Sequence, residues 1–327
     1  MTSSPRYLRP AAGIFLAAPW FAEMAWGGIP VTQLPLVLLF LAPLYGSAAL
    51  LIREVVRRTG RGWPSMLLLA AAFGVLQAGV VDQSLFNPSY GRFDFQHPVH
   101  VGGIDVSLYY LLAFVSGHVV ASMATPIALT EAWTREPARR RPWLSRRGVW
   151  AVAAVYVLAS VVNHLGVKED EGHGFQAAPA QTLTAIVVAA LLVTAALLWR
   201  RHDVTDVRVP KPAVVLAIGF VAYLLYLPGE TASAFAVGVV VVAGVVGAVG
   251  RWSTSPRWTD GHVTALVMGS VMVGVVMPFL VDPYDNSVDA GRELVQDVAA
   301  ATVCLLGVAA TWLRLRRLAR RPATSGP

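Results

Sequence analysis

The chain has 327 residues, of which 56% are hydrophobic and only 14% charged, with a formal net charge of +7 and a mean hydropathy of +0.58. A soluble domain carries roughly 25% charged residues, so this composition excludes an ordinary soluble enzyme or adaptor and requires lipid. The basic surplus does not indicate a nucleic-acid partner. The arginines sit in short runs beside apolar stretches, where they face anionic headgroups, and no aromatic-interleaved basic domain accompanies them.

Crossing the hydrocarbon takes about 20 predominantly apolar residues. Ten such stretches follow one another, at approximately 11–29, 33–52, 64–86, 106–131, 149–166, 181–199, 212–228, 231–250, 261–281 and 293–313. Backbone polar groups in lipid must be satisfied within each segment, which makes these stretches helices rather than strands. The expected fold is all-α: a polytopic integral membrane protein of about ten transmembrane helices, forming a single membrane domain over 1–327.

Arg6 and Arg9 precede the first span, but Trp20, Glu23 and Trp26 interrupt the place of a small-residue cleavage site, so it reads as an uncleaved helix rather than a signal peptide. With the spans alternating in direction, 23 of the 26 Lys and Arg residues fall on one side, leaving Arg92, Lys168 and Arg292 on the other. Cytoplasmic segments carry the Lys/Arg excess, which places both termini in the cytoplasm and the protein in the plasma (inner) membrane.

Pro19, Pro35, Pro43, Pro126 and Pro278 fall within spans, where each removes a helix hydrogen bond and can kink the helix. Spans one to five, residues 1–166, hold most of the polar side chains at membrane depth. Residues 181–313 are dominated by Val, Ala, Leu and Gly and read as scaffold. No convincing inverted repeat relates the two.

Depth singles out functional candidates, because a polar side chain costs most near the bilayer centre. At 1.5 Å per residue, Glu23 lies about 10 Å below the outer surface, Gln77 at a similar depth, His118 near the middle, and Asn163 and His164 about 8 Å below the outer surface. On the fourth span His118, Ser122 and Thr125 share a face, as do Tyr156, Ser160, Asn163 and His164 on the fifth. Together with Asp82 they form a belt of substrate- or proton-path candidates, with Glu23 as the carboxylate and the histidines as relay groups. The competing reading is structural: Glu23 snorkels outward and the histidines bond neighbouring carbonyls.

The loop after span three carries Tyr90, Phe93, Asp94, Phe95, His97, His100 and Asp105 and is expected to fold back as a lid over the belt. His97 and His100 are weak metal candidates, since Pro98 between them argues against the helix that would align them. The acidic run Glu169–Asp170–Glu171 and the residues Asp282, Asp285 and Asp289 read as solvated, and neither matches a calcium loop. No GxGxxG, P-loop, nucleophile elbow or CxxC lies in a loop that could present it, so no cofactor is expected. Cys304, alone within the last span, is expected only to pack.

Ala243, Gly247 and Gly250 give span eight a small-xxx-small face, for which packing within the chain is preferred over a homo-oligomer interface. Glu54 with Arg58, Phe73 with Gln77, and His118 with Ser122 loosely resemble the EExxxR, FxxxH and HxxxN pieces of the CAAX-protease and bacteriocin-processing membrane family. One Glu stands for two, Gln77 replaces a His and Ser122 an Asn, and helix rise separates Glu54 from Gln77 by about 20 Å, so the resemblance is not carried further. Glu54 is expected to be an interfacial partner of Arg57 or Arg58. The leading functional expectation is a transporter or permease moving a small molecule or ion through an outward-side polar cavity. The alternatives are a membrane-embedded enzyme acting on a lipid or lipid-linked substrate at the outer leaflet, and a non-catalytic subunit of a membrane complex.

Overall fold

The structure is a computed structural model and describes residues 7–199, 204–284 and 290–319. Arg6, Asp285 and Asp289, read above as topology or loop charges, lie outside the described residues, as do Arg200, Arg201, Asp203, Arg320 and Arg321.

Among the described residues, ten long helices follow one another: α1 (8–24), α2 (Val31–Arg58), α3 (Trp63–Val81), α4 (Leu108–Trp133), α5 (Arg146–Glu169), α6 (Pro179–Leu198), α7 (Pro212–Leu225), α8 (Ala232–Ser253), α9 (Asp260–Phe279) and α10 (Gly291–Leu318). Eight are long and apolar enough to cross a membrane; α1 and α7 are shorter. The starts follow local chemistry. Prolines open α6 and α7, where a missing N–H costs nothing, and the hydroxyls of Ser107, Ser145 and Thr231 accept the N–H groups of Tyr110, Gly148 and Ala234 in the first turns of α4, α5 and α8.

The connections fall on two opposite faces. On one, Tyr7 N–H bonds the Trp143 carbonyl, Arg61 reaches Leu197, Arg139 and Arg140 reach Asp260, Arg257 reaches Asp206, and Arg314 reaches the carbonyls of Ala132 and Trp133. On the other, Gly91 meets Glu171, Asn87 meets Gly172, Arg92 meets Pro283 and Tyr284 meets Gly28. The first is arginine-rich and the second carries the acidic loops, the segregation that charge counting anticipates.

Helices α2, α3, α4 and α9 form the interior, while α5, α6, α8 and α10 turn most of their surface outward. Small residues let helices touch by backbone. A Cβ on Gly46 of α2 would lie 2.8 Å from the Cα of Phe15 on α1, and one on Gly269 of α9 would lie 2.6 Å from the Phe220 nitrogen of α7. Without a hydrophobic drive between helices in lipid, such close van der Waals approach is what holds them together. The expected intrachain packing of Ala243, Gly247 and Gly250 is not found. Added Cβ atoms at Gly247 and Gly250 meet nothing within 4 Å, because α8 packs through Ala234 and Gly238 near its other end. Cys304 is buried beside Gly274 and Met268.

Two further expectations need correction. Span two runs six residues beyond 52; the expected pairing of Glu54 with Arg58 is present at 3.2 Å, but it lies within a buried network. Arg53 and Glu54 are both 0% exposed. The segment 134–145 folds over this end of α2 and extends the protein interior past the apolar run. Arg53 donates to Glu54 (2.9 Å), to Glu131 (3.0 Å) and to the carbonyls of Arg139 and Arg141, and its Cζ lies 3.3 Å from the Trp143 ring centroid. Glu54 also accepts the backbone N–H groups of Trp143 and Leu144, and Arg57 pairs with Glu131. Span three, expected to reach 86, closes at Val81, with Asp82 opening the loop on the acidic face.

Candidate functional site

The first four helices, α1 to α4, are not α-helical throughout. Wide, π-type turns occupy Trp20–Met24 in α1, Val37–Gly46 in α2, Gln77–Val81 in α3 and His118–Ala124 in α4. Their bonds reach back five residues, as in Ala25 N–H to Trp20, Asp82 N–H to Gln77 and Thr125 N–H to Val120. Proline accounts for part of this. Pro43 cannot donate within its stretch of α2, and the wide turn in α4 ends just before Pro126, whose ring would otherwise crowd the Ser122 carbonyl four residues back. Turns of this type concentrate at functional positions. Each of the four carries polar side chains of the same cluster: Glu23, Tyr45, Gln77, and His118 with Ser122.

Tyr45 is the hub of one side. Its hydroxyl donates to Glu23 Oε1 at 2.6 Å, and its ring packs against Phe73 and His118 with centroids 5.9 Å away in each case. His118 Nδ1 lies 3.1 Å from the Ser122 hydroxyl, and Thr125, one turn on, meets Ser270 of α9 at 3.3 Å. The sequence did not single out Tyr45; a tyrosine within an apolar run reads as ordinary core or interface.

Gln77 is the hub of the other side and is 2% exposed. Its amide nitrogen donates to Asp82 Oδ2 at 3.4 Å and to Asn163 Oδ1 at 3.2 Å. The reverse amide orientation would aim a carbonyl at a carboxylate, so the charge fixes which atom faces Asp82. That leaves Gln77 Oε1 buried with no hydrogen-bond partner, a deficit of about 1–3 kcal/mol unless something fills it. The other Asp82 oxygen accepts from the Ser84 N–H (2.9 Å) and hydroxyl (2.7 Å). His164 Nδ1 lies 2.9 Å from the Val81 carbonyl, which can only accept, so Nδ1 carries the proton and, in the neutral ring, Nε2 is free to accept.

The two sides are coupled through their carboxylates. Glu23 and Asp82 lie within electrostatic reach of one another, and Tyr90, Glu171 and Tyr284 within reach of Asp82. The loop 82–107 covers them. Phe93 meets Tyr284 edge-on at 6.1 Å, Tyr284 meets Trp26 at 5.6 Å, and Phe95 packs on Tyr110 and Phe114. Gln83 is pinned at φ +59° by the Ala177 N–H, which it accepts at 2.8 Å.

His97 and His100 stand apart from this cluster on the exposed side of the loop, stacked at 5.7 Å, with His97 bonded to Asp94 (2.9 Å) and His100 3.6 Å from Asp105. Hydrogen bonding to His97 holds the Asp94 carboxyl below its usual range. Among the described residues, no group of three or more His, Cys, Asp or Glu side chains is placed to hold a metal ion. Glu54 belongs to the Arg53 network on the arginine-rich face and shares no partner with Gln77.

Fold and site together define a polytopic α-helical membrane protein with a covered polar cluster between its inner helices. The chain belongs to an uncharacterized membrane protein family, whose family model matches residues 14–325. Searches of curated proteins and of solved structures gave no match.

Proposed function

We propose that this protein is a permease-type transporter of the plasma membrane, with both termini cytoplasmic and the acidic face outward. A small solute or ion enters beneath the loop 82–107 and passes the Glu23–Tyr45 and Asp82–Gln77–Asn163 groups. The observation that carries this reading is the coincidence of four wide helical turns with polar residues of one cluster. Broken or distorted helices around a mid-membrane polar site are the means by which transporters present backbone and side-chain groups to a cargo. The arginine-rich face supports the orientation, because Lys and Arg accumulate on the cytoplasmic side.

The test is uptake into proteoliposomes of a panel of labelled amino acids, sugars and organic cations under imposed proton and sodium gradients. At least one solute is expected to accumulate in a gradient-dependent manner, with a tenfold or greater loss in Glu23→Gln. Undiminished gradient-driven uptake by a folded Glu23→Gln protein would overturn the reading.

A further inference from the structure

We propose that Asp82, Gln77 and Asn163 form a binding site for a monovalent metal cation of the sodium type, the ion coupled to transport. The inference rests on the permease reading for the ion's role, though not for its binding.

Gln77 is the informative group. Both of its N–H bonds are spent on oxygens, those of Asp82 and Asn163, while its own carbonyl oxygen is buried and unpartnered. A buried acceptor left over beside a carboxylate calls for a guest that only attracts oxygens. Water would satisfy the carbonyl, but a cation satisfies the carbonyl and the Asp82 charge together. The contacts at 3.4 and 3.2 Å are long for amide hydrogen bonds, so the three side chains are loosely drawn together rather than locked.

The ligand chemistry selects the class of ion. Carboxylate and amide oxygens are hard donors and suit alkali and alkaline-earth cations rather than transition metals. One carboxylate is in hydrogen-bonding reach of the amide, so one positive charge balances the site. Doubly charged calcium usually draws on several carboxylates, which this group does not supply. Access is from the acidic face, where Glu171 lies within electrostatic reach of Asp82 and draws cations toward the site. Glu23, within electrostatic reach of Asp82 and hydrogen-bonded to Tyr45, provides a further oxygen group nearby.

The experiment measures binding without transport. Purified full-length protein in detergent is titrated with 22Na+ at constant ionic strength, N-methylglucamine replacing sodium. Wild type is expected to bind saturably, about one ion per chain. Asp82→Asn and Gln77→Leu are each expected to weaken binding at least tenfold, and Asp206→Asn, on the opposite face, to leave it unchanged. Where Asp82→Asn does not fold, a monodisperse Gln77→Leu protein decides the matter. Absence of saturable binding by wild type, or binding that Gln77→Leu leaves unchanged, overturns the proposal. Binding without any solute uptake overturns only the permease reading; uptake without sodium binding overturns only this one.

Discussion

Arg53 lies over the ring of Trp143, its Cζ 3.3 Å from the centroid, while its three nitrogens bond two carboxylates and two carbonyls. The arrangement clamps the segment 134–145 to the end of α2. Removing one partner from a buried ion network leaves the others uncompensated, at about 3–5 kcal/mol. Arg53→Ala is therefore expected to abolish monodisperse purification or to lower Tm sharply. Arg53→Lys is expected to rescue little, because an ammonium cannot reproduce the planar fork. A Lys variant with wild-type Tm would contradict this account.

Gly46 and Gly166 make opposite predictions. A side chain at Gly46 drives into the Phe15 backbone, whereas one at Gly166 meets nothing within 4 Å. Overpacking of this kind costs about 1–3 kcal/mol, and alanine is otherwise the better helix former by about 1 kcal/mol. Gly46→Ala is expected to lower Tm and Gly166→Ala to leave it unchanged or raise it, as read by thermal unfolding in detergent.

Tyr45→Phe keeps the ring against Phe73 and His118 and removes only the donor to Glu23. Hydrogen bonds to charged groups contribute about 1.5–3 kcal/mol. The effect of Tyr45→Phe on Tm is expected to shrink by more than half in a Glu23→Gln background, because the strongest version of the bond is already gone. Strict additivity in that double-mutant cycle would mean that the two residues do not act together.

Asp82 is expected to write a pH dependence into stability. It lies just past Val81, the last residue of α3, and burial pushes its carboxyl from the ordinary 3.8 up to about 6, against the opposing hydrogen bonds from Ser84 and Gln77. The folded chain holds this proton more tightly than the unfolded one. Its contribution to stability is thus full below about pH 4 and lost as pH rises through about 6. In sodium-free buffer, Asp82→Asn is expected to flatten the fall in Tm over that window, since an amide oxygen still accepts from Ser84. An unchanged slope would assign the pH dependence to another group.

Much of the architecture is legible in the residues because the bilayer imposes it. Span length follows from hydrocarbon thickness, and the side of each loop from its arginines. Glu23, Gln77, His118, Asn163 and His164 drew attention for a related reason: such side chains are costly at the depths that the sequence assigns them. Tyr45 escaped notice because a tyrosine at that depth is not costly. The pairing of Glu54 with Arg58 was legible from its spacing, but the burial of Arg53, Glu54 and Glu131 was not, because it depends on which loop covers them and the hydropathy of their own helices does not record it. The wide turns were the least legible. Pro43 and Pro126 hint at two of them, but backbone hydrogen-bond register is not a property of composition.

A wide turn is in effect one residue inserted into a helix. Deleting one residue from such a turn would restore the regular pitch and swing everything beyond it by about 100° around the helix axis. The aim of Glu23, Tyr45, Gln77 and His118 thus depends on phase as much as on identity. A chain of nearly identical composition, one residue shorter in each of these four stretches, would still satisfy the membrane and would scatter its polar groups to different sides.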